Sequence, residues 1–103
     1  MKRPVGWSRE ALDDIKGQVA FIARDNPLAA RRIADRLRDA GEALGNLATG
    51  RPGRVAGTYE KSLSRLPYII AYELRPIAGR DSVVILRVIH TARDWPVGGW
   101  PED

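Results

Sequence analysis

With 103 residues and 11.4 kDa, 44% hydrophobic and 29% charged, the chain has the composition of a soluble protein and room for one domain, residues 1–103, with a modest core. Cysteine is absent and His90 is the single histidine, which excludes disulfide frameworks, thiol nucleophiles and cysteine or multi-histidine metal centres, so neither metal nor cofactor is expected. The net charge of +4 is uneven: residues 1–50 hold nine Lys or Arg against seven Asp or Glu, while residues 51–93 hold eight against three, an excess that attracts nucleic acid or an acidic protein segment.

Val5 and Trp7 alternate with Pro4 and Gly6 in a short strand pattern that the proline confines to a sheet edge. Ser8 then offers a helix N-cap, and Leu12, Ile15, Val19 and Ile22 follow at 3, 4, 3 spacing as the buried stripe of a first helix ending near Asp25. Asn26-Pro27 terminates it and starts a second, since Asn caps well and Pro fits the first helical position. The second stripe is Ala30, Ile33, Leu37, Ala40, Leu44 and Leu47, with the helix ending by Gly50. Residues 50–57, with Gly50, Pro52, Gly53 and Gly57, read as a flexible basic connection. Three strands follow, over 58–66, 68–74 and 82–90, with a turn at 76–81. Short connections make them an antiparallel meander. The predicted fold class is α+β: two layers in the order β-α-α-β-β-β, with the helical hairpin on one face of an antiparallel sheet.

Strand alternation assigns Tyr68, Ile70, Tyr72 and Leu74 to the core, with Val84, Leu86 and Val88. Ile69, Ala71, Glu73, Val83, Ile85, Arg87 and Ile89 then form an open face rich enough in aliphatic surface to mark a partner site. Alternatively, the segment 95–103 folds over that face and Glu73 pairs with Arg87.

Catalytic constellations are scarce. His90 is the one candidate base of neutral range; hydrogen-bonded into a strand terminus, it would instead fix the following turn. No phosphate-binding glycine loop is present, because Gly98-Gly99 lacks the flanking strand and helix. Apolar runs at 68–72 and 83–86 are far short of the roughly 20 residues that cross a bilayer, and residues 1–4 precede no apolar signal core. A cytoplasmic protein without membrane contact is expected.

The element order, together with Pro67-Tyr68-Ile69-Ile70-Ala71-Tyr72 and the run from Ile85 through His90-Thr91-Ala92-Arg93-Asp94-Trp95-Pro96, resembles the ParE family within the ParE/RelE toxin superfamily. Ala11-Leu12-Asp13-Asp14-Ile15, Asn26-Pro27, Ala29-Ala30 and Gly57-Thr58 extend the resemblance over nearly the whole chain. It implies a cytoplasmic toxin of a type II toxin-antitoxin pair, silenced by a ParD-like antitoxin with a ribbon-helix-helix N-terminus and an acidic C-terminal segment. RelE-like members are ribosome-dependent mRNA endoribonucleases that keep an Arg where this chain has Ile69, and an aliphatic group can neither neutralise phosphate nor carry a proton. The resemblance therefore implies the ParE mechanism, growth arrest by inhibition of DNA gyrase through protein contact, with no catalytic residues. RelE-like cleavage and a non-toxic antitoxin-binding module are the alternatives. ParE sequences commonly carry Arg after Gly-Thr; here the residue is Tyr59.

On this reading His90, Arg93, Trp95 and Trp100 contact the target. Arg65, Ile69, Ile85 and Arg87 receive the antitoxin, the arginines taking carboxylates and the isoleucines apolar side chains; a segment could also pair with the 58–66 strand if that strand is terminal. Sequence-specific nucleic acid binding is not expected.

Overall fold

In a computed structural model that describes residues 2–93, 96 and 98–101, two helices pack on a five-stranded mixed sheet. The elements are β1 (Val5–Trp7), α1 (Arg9–Ala23), α2 (Pro27–Ala43), β2 (Arg51–Pro52), β3 (Tyr59–Ser62), β4 (Tyr68–Ile77) and β5 (Arg80–His90). Strand order is β1-β5-β4-β3-β2; β1 lies parallel to β5 at one edge and the remaining pairs are antiparallel. The expected α+β layers, edge strand and meander are present, with β2 as an additional strand.

Both helix starts follow their sequence signals. Ser8 Oγ accepts the Ala11 N–H, Asn26 Oδ1 accepts the Ala29 N–H, and Pro27 sits where no helical amide is lost. The expected stripe of α1 holds at Ile15, Val19 and Ile22, all half-buried, and departs only at its first position. Ala11 is fully buried, whereas Leu12 is 53% exposed, because the small alanine lets the helix approach β5 closely. Helix α2 stops at Ala43, short of Gly50, and leaves Leu47 exposed. Two glycines explain the close packing there: a side chain at Gly41 would strike the Trp7 ring, and one at Gly45 would meet the Arg3 carbonyl, whose own amide bonds to Gly45.

The core lies between the helices and one sheet face: Ala11, Leu37 and Leu44 against Tyr68, Ile70, Tyr72, Val83, Ile85 and Val88. This corrects the expected assignment of Val84 and Leu86. Ala71 pairs with Arg87 but Tyr72 with Ile85, so β5 holds one extra residue, and a bulge shifts the phase of its alternation. Leu74 is another correction. It stands 41% exposed because β4 runs past its last β3 partner, the Tyr59–Tyr72 pair, into a projecting hairpin. Ala78 (φ 51°) and Gly79 (φ 78°) close that hairpin in a two-residue turn with both residues left-handed, as its twist requires.

The stretch 50–57 is tied down rather than flexible. Glu60, buried on β3, accepts the Arg54 N–H at 2.8 Å; Gly53 N–H bonds to Thr58 O; and Thr58 Oγ1 donates to Val55 O. Tyr59 stacks on Tyr72 at 5.6 Å between centroids, and Tyr72 Oη accepts the Gly50 N–H at 2.8 Å. Burial raises the pKa of both Tyr72 and Tyr68 above the ordinary 10.0. The folded state therefore holds these protons more tightly than the unfolded chain, and their contribution is complete below pH 10.0 and lost as pH climbs through the raised values. Urea midpoints are expected to fall above that pH, and Tyr72→Phe is expected to flatten the fall.

Candidate target and antitoxin surfaces

Strand β1 ends at Trp7, opposite Ile85, so the rest of β5 has no strand on that side. Helix α1 takes its place. The Ser8 N–H donates to Ile85 O and its hydroxyl to Leu86 O, both at 2.9 Å, so one residue caps the helix and closes the strand edge. Further along the helix, Asp14 Oδ2 accepts the Val88 N–H at 2.9 Å and Arg87 Nε at 2.8 Å, while Oδ1 accepts Arg87 Nη2 at 3.0 Å. With side-chain exposures of 18% for Arg87 and 10% for Asp14, this two-pronged pair is largely removed from water. The local Glu73–Arg87 pair offered by the sequence is not formed; Glu73 instead contacts Arg75. Sequence reasoning missed Asp14 as a functional group, because its role depends on Arg87 and Val88 across the helix–strand junction.

Beyond this lock, α1 and the end of β5 diverge around a cleft of about 600 Å³. His90 and Arg93 line it on the strand side, Gln18 and Phe21 on the helix side, and Pro101 belongs to its lining. Phe21 is 68% exposed. His90 Nδ1 accepts the Ala92 N–H at 3.1 Å, which leaves the proton of the neutral ring on Nε2, and the ring meets Tyr68 edge-on at 5.3 Å. The imidazole thus fixes the turn after β5, helped by Thr91 N–H on Pro67 O. Among the described residues no carboxylate orients it, and no group of three or more His, Cys, Asp or Glu could hold a metal.

Of the residues expected to meet the target, His90 and Arg93 come together in the cleft. Trp95 lies outside the described residues. Trp100 is half-buried, with a buried indole N–H that has no hydrogen-bond partner among the described residues. The residues expected to receive the antitoxin do not share one surface. Ile85 is fully buried under the helices, because the bulge turns it inward, and has no surface to offer a partner. Arg87 is engaged by Asp14, Ile69 is half-buried opposite Ile89, and Arg65 is exposed in the β3–β4 turn. Ala71 and Ile89, placed by the sequence on an open face, are buried as well.

A family model described as the ParE toxin of the type II toxin-antitoxin system parDE matches residues 5–95. The chain belongs to the ParE toxin family. A Sinorhizobium fredii protein named as a toxin, Y4kP, is 38% identical over 96 residues, covering 92% of this chain and 95% of its own. Toxin RelE2 of Caulobacter vibrioides is 34% identical over 91 residues, covering 86% and 96%. In fold, the chain is similar to a component of the chromosomal ParDE system of P. aeruginosa, with a TM-score of 0.77, 20% identity and coverage of 86% and 96%. It is also similar to a chain of the RelBE2 toxin-antitoxin complex of Mycobacterium tuberculosis, with a TM-score of 0.62, 24% identity and coverage of 87% and 99%. This chain is thus a toxin of the type II toxin-antitoxin class within the ParE/RelE superfamily. Tyr59, which follows Gly57-Thr58, stacks on Tyr72 and stabilises the sheet. No helix among the described residues is long and apolar enough to cross a membrane.

Proposed function

We propose that this toxin arrests growth in the cytoplasm by binding DNA gyrase and trapping its cleaved DNA complex, and that a ParD-like antitoxin neutralises it. The observation that carries the reading is the state of the cleft's single imidazole, whose Nδ1 is committed to the Ala92 amide and which no described carboxylate orients. A general base needs an accessible lone pair and a partner to hold it. Ile69, where the ribonucleases keep Arg, supports the same reading, because it removes one source of phosphate neutralisation. Contact with the target is assigned to His90 and Arg93 in the cleft and to Trp100, together with Trp95, which lies outside the described residues. Arg65 and Ile69 are assigned to the antitoxin.

Purified toxin is expected to block supercoiling by gyrase and to accumulate cleaved DNA at micromolar concentration; gyrase unaffected at that concentration refutes the reading. The second reading, ribosome-dependent mRNA cleavage, draws on the 34% identity to a relative named RelE2 and on the placing of His90 and Arg93 in one cleft. It requires new A-site cuts on primer extension of translated mRNA, which the first reading does not give.

A further inference from the structure

Beyond the Tyr59–Tyr72 pair, β4 has only β5 beside it, and the two strands leave the sheet as a ribbon. From Tyr72 to Ile77 this ribbon reaches about 17 Å, at about 3.4 Å per residue. Residues 74–81 are all exposed, and none of them belongs to the core. A two-stranded hairpin is marginal on its own, so packing gives no reason for its length.

Beside the hairpin, the segment leading into β1 bounds a notch of about 580 Å³. Lys2 and Arg3 line it from that segment, Arg80 and Asp81 from the start of β5, and the Asn46 side-chain amide adds polar groups. Their backbone is fixed. Arg3 N–H bonds to Gly45 O at 2.7 Å, Pro4 O accepts the Val83 N–H at 2.8 Å, and Arg80 pairs with Ile77 across the turn. Among the described residues, no ion pair engages Lys2, Arg3, Arg80 or Asp81. Three cations against one carboxylate leave the notch an excess of positive charge, held in place before any partner arrives.

We propose that the hairpin and this notch bind duplex DNA without regard to sequence, the ribbon entering the major groove while Lys2, Arg3 and Arg80 take phosphates of a bordering strand. The major groove of DNA, about 12 Å wide, admits a two-stranded ribbon, whereas that of duplex RNA is too deep and narrow. The lining selects a polyphosphate over an acidic peptide. Pro4 supplies its one apolar side chain, and protein partners bind mainly through anchors buried in well-packed pockets, whereas nucleic-acid interfaces are polar and cationic. Arg75 lies on the same ribbon but contacts Glu73, and it is not counted among the phosphate ligands. The proposal goes beyond the gyrase reading and stands without it, because DNA alone is the ligand.

The test is fluorescence anisotropy of a labelled DNA duplex of about 20 bp and arbitrary sequence, titrated with the full chain free of antitoxin. Each phosphate neutralised adds about −0.9 to the slope of log affinity against log salt, so three give about −2.7, a loss of about fortyfold between about 50 and 200 mM salt. Lys2→Ala with Arg80→Ala is expected to reduce that loss to about threefold. Arg31→Ala with Arg32→Ala removes the same charge from α2 and is expected to leave it at about fortyfold. All four side chains are exposed, so the thermal midpoints of both double variants stay at the parental value. Duplex RNA of the same sequence is expected to bind at least about threefold more weakly than the DNA. Equal salt dependence of the two double variants, absence of binding at about 50 mM salt, or equal affinity for the RNA overturns the inference. Displacement of the DNA by poly-glutamate at equal charge concentration overturns it too, and assigns the notch to an acidic protein segment. Gyrase left unaffected by a toxin that binds DNA in this way refutes the reading of the target alone.

Discussion

Arg87→Glu is expected to unfold a large fraction of the protein, by placing a second carboxylate against Asp14 at the junction of α1 and β5. The pair is mostly buried, and Asp14 also holds the Val88 amide, so the second carboxylate meets the first at a site largely removed from water. Breaking a buried ion pair from one side costs about 3–5 kcal/mol, against a total stability of about 5–15 kcal/mol for a small domain. Asp14→Asn is expected to cost less, because its amide oxygen still accepts the Val88 N–H while the guanidinium loses its counter-charge. Urea midpoints of both variants and of the Asp14→Ala, Arg87→Ala double variant measure the coupling. A change of less than about 0.5 kcal/mol for Arg87→Glu would assign the pair no structural role. The result also bears on partner binding: loss of antitoxin capture by an Arg87 variant reports on folding first, so interface mapping belongs on Arg65, which forms no ion pair with described residues.

Local chemistry was the legible part of this sequence. Ser8 and Asn26-Pro27 announce their helices because capping depends on a few adjacent atoms, and those caps are the ones formed. The long strands β4 and β5 announce themselves through Val and Ile content. What failed was phase. Period-2 alternation assigns faces only while pairing is regular, and one bulge beside Leu86 carried Ile85 from the predicted partner surface into the core. In α1 only the first stripe position moved, since Leu12 outranks Ala11 in hydrophobicity while close helix–strand contact selects the smaller residue. Strand β2, two residues with a proline, is visible only through its partner. At the candidate site, His90 and Arg93 were legible because they close the last strand, whereas Asp14 needed a tertiary partner 73 residues away to acquire meaning.

Deleting residues 97–103 is expected to leave a folded toxin that captures its antitoxin and no longer stops growth. Among the described residues of this segment, Pro101 is buried at the cleft and Trp100 half-buried, so the segment does contribute to the fold. The contribution is small, because burying an indole N–H without a partner costs about 1–3 kcal/mol, comparable to the about 1.5–3 kcal/mol gained by removing a large apolar side chain from water. A net loss of about 1 kcal/mol lowers the thermal midpoint by about 4–8 °C in a domain of this size and leaves it folded at growth temperature. Trp100 is the described residue of this segment assigned to the target, and truncating a tryptophan anchor costs about 2 kcal/mol or more in binding. Viable counts after induction, with toxin amount held at the parental level and antitoxin capture measured in parallel, separate the two roles. If the truncated chain still arrests growth, the target surface lies on the other lip of the cleft, where Phe21 stands 68% exposed on α1 and becomes the next residue to change.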